Sequence, residues 1–362
     1  MSDRLTRLRK QMADTGTDLV ALGPTSHMRW LSGLDPHGDE RPVMLLVSAG
    51  YAGVLMPSLN ADSARAATDL PFHTWADDTG PDAALGELLA SCGATGAGLS
   101  VAVDEAMRAD FALLLLDALD NPRRSFAADT VGLLRQMKDA EEYEGLRASA
   151  RLNDEAARAA FAALEEGMSE RDVQAIIQAH YKANGARPEF TIVGFGANGA
   201  YPHHHTGETR LKRDMAVLID TGCRLNGYPS DMTRCGWFGT PDPEFTKVAQ
   251  VVEDAVQAAL AACKPGALAR DIDAAARDVI TAAGYGPRFL HRTGHGLGID
   301  IHEPPYITAT ATTELRAGNV FSIEPGIYLE GRFGVRLEDI VILREDGPEI
   351  LSGLSRAIVT SP

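Results

Sequence analysis

The sequence predicts an α/β (α+β) protein of two domains, residues 1–135 and 136–362. Three observations predict it. Strand-length apolar runs alternate with helical segments through the first third of the chain. A polar stretch, Asn121-Pro-Arg-Arg-Ser125, then leads toward a charged helix after Lys138, which places the boundary near residue 135. Beyond it, long Ala-rich helices come in pairs, each flanking strand-rich sequence.

In chain order, Leu5, Leu8 and Met12 form a helical stripe. Asp18-Leu-Val-Ala-Leu-Gly23, Val43-Met-Leu-Leu-Val47 and Ala52-Gly-Val-Leu-Met56 read as strands, and Phe111-Ala-Leu-Leu-Leu-Leu-Asp-Ala-Leu119 as an apolar helix. In the second domain, helices are expected over Glu141 to Leu164, Glu170 to Lys182, Glu244 to Cys263 and Ala269 to Ala283.

With 362 residues and 45% hydrophobic content the chain can bury two cores. A net charge of -16 with no basic stripe excludes nucleic acid and anionic membranes as partners. The N-terminal Met1-Ser-Asp-Arg-Leu-Thr-Arg-Leu-Arg-Lys10 lacks an apolar signal core, and no run of about 18 apolar residues occurs. Cys92, Cys223, Cys235 and Cys263 have no metal-ligand spacing, so buried thiols without a disulfide are expected in a reducing compartment. The expectation is a soluble, cytoplasmic protein.

The chemistry is concentrated between residues 215 and 342. Met215-Ala-Val-Leu-Ile-Asp220-Thr-Gly222 and Tyr228-Pro-Ser-Asp231-Met-Thr-Arg234 read as a hairpin whose turn, Asn226-Gly227, tolerates positive φ and brings Asp220 close to Asp231. An acid ending a buried strand needs a counter-charge, either a metal or an arginine such as Arg224 or Arg234. In His291-Arg-Thr-Gly-His295-Gly-Leu-Gly-Ile-Asp-Ile-His302-Glu-Pro-Pro305, glycines bracket His295 and would let backbone approach whatever it binds. Glu324 and Glu338 lie in two further strand-like runs, Val320-Phe-Ser-Ile-Glu324-Pro-Gly-Ile-Tyr328 and Gly334-Val-Arg-Leu-Glu338-Asp-Ile-Val-Ile342. Each signal alone is that of a turn or a cap. Four such acids together would repel one another unless divalent cations neutralised them, and hard oxygen donors with one imidazole suit Mn, Zn, Co or Fe(II).

In this order and with these flanks, residues 215–342 resemble the pita-bread metallopeptidases, the family of aminopeptidase P, prolidase, methionine aminopeptidase and creatinase. Leu134-Arg-Gln-Met-Lys-Asp-Ala-Glu-Glu142 and Gly167-Met-Ser-Glu170 resemble the start of the catalytic domain and its first helix-to-helix turn in the proline-specific, creatinase-like branch. The resemblance implies an N-terminal creatinase-like domain followed by a pita-bread catalytic domain whose halves are related by a pseudo-twofold. It implies two divalent metal ions, Mn(II) first, on Asp220, Asp231, His295, Glu324 and Glu338, with Asp231 and Glu338 bridging. Arg336 is similar to an arginine that orients the bridging ligands. His203 resembles a histidine near the scissile bond, His302 one that steadies the carbonyl oxygen, and His291 a third on the substrate side. In the run His203-His204-His205, consecutive residues of an extended strand would face opposite ways, so at most two share one site, and His203 is the one preferred.

The implied reaction is attack by a metal-activated hydroxide on an amide carbonyl, with Glu324 shuttling the proton to the leaving nitrogen. The substrate expected is a small peptide with proline at its second position. Dipeptidase relatives often carry an arginine just after the His-Glu-x-Pro segment, where it can pair with a free carboxylate, and here Tyr306 stands after Glu303-Pro-Pro305. That favours a Xaa-Pro aminopeptidase over a dipeptidase (prolidase), unless Arg288, Arg292 or Arg332 supplies the missing charge. Ectoine hydrolase, dimethylsulfoniopropionate lyase and a binding protein on a retired peptidase fold are the other readings this fold allows. The resemblance also implies a homodimer, with Trp30, His37 and Trp75 as candidates to wall the neighbouring subunit's site.

Overall fold

The computed structural model describes residues 2–361 and divides into two compact units, Met1–Arg135 and Gln136–Pro362. The first unit runs α1 (Ser2–Thr15), β1 (Leu19–Leu22), α2 (Ser26–Ser32), β2 (Met44–Ser48), β3 (Ala52–Pro57), α3 (Ser58–Ala64) and β4 (Phe72–Trp75). It continues with α4 (Asp82–Ser91), β5 (Ser100–Val103), α5 (Ala109–Asp117), β6 (Arg123–Phe126) and α6 (Val131–Gln136). Its six strands form one sheet in the order β4-β3-β2-β1-β5-β6. Strands β1, β2 and β3 are buried at every position, which is why their sequences run apolar without alternating. Leu85 and Leu88 of α4 and Phe111 and Leu115 of α5 join the core packed on this sheet.

Two of the three residues proposed as a wall for a neighbouring subunit are core residues instead. Trp30 is 1% exposed, and Trp75 is 8% exposed with its indole Nε1 donating to Pro42 O at 3.1 Å. Only His37 is on the surface.

The second unit opens with α7 (Ala140–Ala162), whose capping box between Asp139 and Glu142 satisfies the first-turn amides, and α8 (Glu170–Ala183), capped in the same way by Ser169 and Asp172. There follow β7 (Arg187–Phe195), β8 (Met215–Leu225), β9 (Tyr228–Pro229), β10 (Met232–Phe238), α9 (Pro243–Ala262) and α10 (Ala269–Ala282). Strands β11 (Gly294–Gly296), β12 (Glu303–Ile307), β13 (Val320–Ile323), β14 (Gly326–Leu329), β15 (Phe333–Arg336), β16 (Asp339–Arg344), β17 (Gly347–Ile350) and β18 (Val359–Ser361) complete it. One sheet has the order β18-β10-β8-β7, with β9 paired to β8, and another the order β12-β11-β13-β16-β17. Strands β14 and β15 make a separate hairpin.

The expected hairpin forms as β8 and β10, and Asn226 (φ 49) and Gly227 (φ 90) take the positive φ values that the turn between β8 and β9 requires. Asp220, however, lies in the middle of the eleven-residue β8 rather than at a strand end, opposite Thr233 of β10.

The second helix of each pair, α8 and α10, begins with the same backbone ladder. Gly167, Glu170 and Arg171 donate their N–H groups to Leu211, Thr209 and Gly207; Gly266, Ala269 and Arg270 donate theirs to Leu315, Thr313 and Ala311. The two turns share the spacing Gly-x-x-x-Arg-Asp, as Gly167 to Asp172 and Gly266 to Asp271, a short echo of the repeat that the main-chain bonds carry.

Among the described residues no helix is long and apolar enough to cross a membrane. All four cysteines are free thiols, three of them buried.

Candidate active site

Within the second unit, a cavity of about 740 Å³ is lined by all nine residues singled out in the sequence: His203, Asp220, Asp231, His291, His295, His302, Glu324, Arg336 and Glu338. Phe190, Ile192, Pro202 and Ile301 give it an apolar side, and Glu189 and Arg292 are its remaining charged lining residues.

Local structure places each group. Asp220 projects from β8, and Asp231 immediately precedes β10. Glu324 follows β13 and Glu338 sits between β15 and β16, while His295 is the central residue of β11. Gly294 and Gly296 are needed for a reason other than ligand approach. A Cβ at Gly294 would collide with the Ser322 carbonyl oxygen of β13, and one at Gly296 with that of Glu303 in β12, so the glycines let neighbouring strands close on His295.

Three overlapping groups, Asp220/Asp231/Glu338, His295/Glu324/Glu338 and Asp231/His295/His302, each bring one potential ligand atom per residue within 4.8 Å of the others. Burial drives the carboxyls of Asp231 and Glu338 well above the usual range, and repulsion from their acidic neighbours adds to it. Burial also raises Asp220, against the pull of Arg336, and pushes Glu324 up to about 7. His295 is pushed down to about 3, chiefly by burial, and is therefore neutral. Its Nδ1 lies 3.1 Å from the Gly296 carbonyl oxygen, which can only accept; Nδ1 therefore carries the proton and Nε2 presents a lone pair. That lone pair faces Asp231 Oδ2 at 3.6 Å and Glu324 Oε1 at 3.5 Å. Asp220 Oδ1 is buried without a hydrogen-bond partner. An imidazole lone pair, an orphaned carboxylate oxygen and crowded acids form a donor set that suits divalent cations.

One guanidinium offsets the acids. Arg336 Nη2 donates to Asp220 Oδ2 at 2.6 Å, Nη1 to Tyr328 Oη at 2.8 Å and Nε to Thr233 Oγ1 at 2.8 Å; Thr233 Oγ1 in turn donates to Glu338 Oε2 at 2.7 Å. Arg224 and Arg234, considered as partners for Asp220 and Asp231, are engaged elsewhere. Arg224 holds Glu189 through two bonds of 2.6 and 2.9 Å. Arg234 binds Asp339 and the carbonyls of Glu338, Leu354 and Ser355.

The histidines divide. His203 and His302 reach the cavity, with the His302 ring edge-on to His295 at 4.1 Å between centroids. His291 also lines it, but both its nitrogens are occupied: Nδ1 donates to Arg292 O at 2.7 Å and Nε2 accepts from Tyr328 Oη at 2.7 Å. It is neutral, its pKa pushed down to about 4 by burial and by Arg336. This makes His291 a support for Tyr328 and Arg336 rather than a group with a free nitrogen for substrate. The run 203–205 is a turn leading into coil rather than an extended strand, and His204 turns away to Glu170 at 2.9 Å. Thr233 and Tyr328 were not singled out in the sequence. Thr233 could have been found from its place two residues beyond Asp231, the spacing that puts residues on one face of a strand.

Comparisons with known proteins agree with this architecture. Metallopeptidase family M24 matches residues 144–345, and the creatinase/prolidase N-terminal domain matches residues 4–137. The probable dipeptidase PepE of Mycobacterium tuberculosis (strain ATCC 25618 / H37Rv) is 36% identical over 357 residues, covering 97% of this chain and 94% of that protein. The Xaa-Pro dipeptidase of Pyrococcus furiosus is 32% identical over 365 residues, covering 99% and 100%. The crystal structure of dipeptidase PepE from Mycobacterium ulcerans superposes with a TM-score of 0.93 at 34% identity, over 100% of this chain and 98% of that one. With its creatinase-like N-terminal domain and pita-bread catalytic domain, the chain belongs to metallopeptidase family M24.

Proposed function

We propose that this protein is a Xaa-Pro dipeptidase, a prolidase, rather than the aminopeptidase that Tyr306 suggested. The observation that carries this reading is Arg292. Its guanidinium lies on the cavity wall 4.7 Å over the Tyr306 ring, and no carboxylate among the described residues forms an ion pair with it. A cation held over an aromatic ring without an ion-pair partner is suited to the free carboxylate of a dipeptide. The charge that Tyr306 cannot provide thus comes from the residue following His291. Arg332 is spent on Glu244 at 2.7 Å, and Arg288 is exposed outside the cavity lining. The dipeptidase names of the relatives support the same choice.

In this reading Asp220, Asp231, His295, Glu324 and Glu338 hold two divalent cations, with Mn(II) as first choice. When bound, the cations supply a nucleophile at neutral pH and polarise the substrate carbonyl. The chain's own groups do the rest. Arg336 and Thr233 fix Asp220 and Glu338, and His302 and His203 face the reacting carbonyl. Glu324, a buried carboxyl, holds a proton and passes it to the departing proline nitrogen. The homodimer and the cytoplasmic setting belong to the same proposal, and sedimentation of the purified protein tests the first.

The deciding experiment compares Xaa-Pro dipeptides, Xaa-Pro-Xaa tripeptides and Xaa-Pro amides with Mn(II) present. Preference for the dipeptide is expected. Faster turnover of tripeptides would restore the aminopeptidase reading, which Tyr306 favours, and no turnover of any proline peptide would sink both.

A further inference from the structure

His203 is carried by a segment with little regular structure, a 3-10 turn over Gly196–Ala200 followed by coil to residue 207. Such a segment needs something to fix it if its histidine is to meet substrate at a set position. One buried carboxylate does so. Glu170, the first residue of α8, is 0% exposed. Its Oε1 accepts from Phe195 N at 2.9 Å and Asn198 Nδ2 at 2.7 Å, and its Oε2 from His204 Nε2 and Gly207 N, both at 2.9 Å. All four donors belong to residues 195–207, and they bracket His203 on both sides. The positive end of α8 and four donors keep the charge tolerable without solvent.

The fold itself does not require this carboxylate. The second half of the domain builds the same three-bond ladder at the start of α10 with Ala269 in the place of Glu170, equally buried at 0%. The acid is thus an addition to a turn that forms without it, and what it adds is a hold on the His203 segment. His204 is the side chain that makes this hold specific. The other partners are two backbone amides and an asparagine that also bonds Thr209, whereas His204 adjoins His203 and ties its backbone directly to the buried acid.

We propose that Glu170 and His204 form a latch that positions His203 for the reaction, both acting as positioning residues that do not themselves touch substrate. The inference rests on the reading of His203 as a group facing the reacting carbonyl. In the Mn(II)-loaded full-length protein, His204→Phe removes the donor and His204→Gln keeps one.

His204→Phe should lower kcat on Xaa-Pro dipeptides roughly 10- to 100-fold with KM little changed, the effect expected when a catalytic group is displaced by about an ångström. Metal content and thermal midpoint should stay at parental values, and His204→Gln should recover most of the loss. Because the latch acts only through His203, the double variant His203→Ala/His204→Phe should be no slower than His203→Ala alone. In parallel, with the protein loaded with diamagnetic Zn(II) in place of Mn(II), the imidazole NMR signals of His203 should shift and broaden in His204→Phe. A multiplicative double variant, a parental kcat in His204→Phe, or an unmoved His203 signal each overturns the latch. Should His203→Ala itself retain parental kcat, the assigned role of His203 fails, and the NMR signal alone then decides whether the latch positions that side chain.

Discussion

Arg336 Nη2 lies 2.6 Å from Asp220 Oδ2, while the other oxygen of the same carboxylate, Oδ1, is buried without a partner. One side of Asp220 is therefore neutralised by protein and the other is left facing the cavity. Lysine at 336 could not reach Asp220, Thr233 and Tyr328 together, because it lacks the planar fork. Arg336→Lys should lower kcat/KM and weaken Mn(II) binding, each by roughly 10- to 100-fold, as supports behind metal ligands do. Steady-state kinetics and calorimetric metal titration check this, and parental values in both would refute it.

Glu338 offers a test by metal removal. Burial and the repulsion of Glu324 and Asp220 raise its carboxyl in the folded protein. The sign follows from linkage: the associated stability is fully present below the unfolded value near 4.5 and is lost as pH rises through the raised folded value. Glu338→Gln keeps an acceptor for Thr233 and abolishes that loss. After chelation at about pH 8, above the ordinary glutamate range, the variant should melt at or above the parent, and after Mn(II) addition it should bind fewer ions. A lower midpoint for the chelated variant at that pH counts against the placement of these charges.

Arg292→Gln separates the two peptide readings. Losing a charged hydrogen bond of about 1.5–3 kcal/mol should raise KM for Xaa-Pro dipeptides roughly 10- to 100-fold. Turnover of the corresponding Xaa-Pro amides, which have no carboxylate to lose, should be unaffected. Equal effects on both substrates would assign Arg292 a structural role instead.

Glu189 is held below the usual carboxylate range by its hydrogen bonds to Arg224. A depressed carboxylate contributes stability that is present above its unfolded value and disappears as pH falls through the folded one. Glu189→Gln should therefore melt below the parent near neutrality, and the gap should close as pH falls from about 6 to about 3, spanning the glutamate range. A gap independent of pH would mean that the ion pair is not its source.

Gly227 has φ 90 at the turn that returns β8 into β9. Gly227→Ala should destabilise the protein by about 1 kcal/mol or more, because a Cβ is strained in that region. Chemical denaturation measures it, and an unchanged midpoint would show that the turn relaxes.

The chemistry was legible in the sequence because its residues are marked by local context. Asp220 and Asp231 flank an Asn-Gly turn, His295 lies between two glycines, and Glu324 and Glu338 end apolar runs. What was not legible depends on contacts across long stretches of chain. Thr233 reaches Glu338 and Arg336 only because β10 and β15 come together, and the bonds that fill both nitrogens of His291 are made to a neighbouring carbonyl and to Tyr328. The partners of Arg224 and Arg234 were misjudged for a similar reason. Both arginines are close in sequence to the acids, yet Arg224 lies four residues farther along β8, where Glu189 holds it, and Arg234 turns to Asp339 and the carbonyls of residues 354 and 355. The choice between aminopeptidase and dipeptidase was not legible at Tyr306, since one position does not show that Arg292 lies over its ring on the cavity wall, a contact that only the fold makes.

The crowded acids come from two distant stretches of chain, Asp220 and Asp231 from the first half of the domain and Glu324 and Glu338 from the second. A cation shared between Asp231 and Glu338 would close a loop of roughly a hundred residues, comparable to one whose covalent closure removes about 4.7 kcal/mol of unfolded-state entropy in the chain-entropy model. Such an ion would be a removable cross-link as well as a reagent. Its occupancy would set how readily the two halves part, so a protease attacking the opened chain would in effect be reading the metal supply of its surroundings.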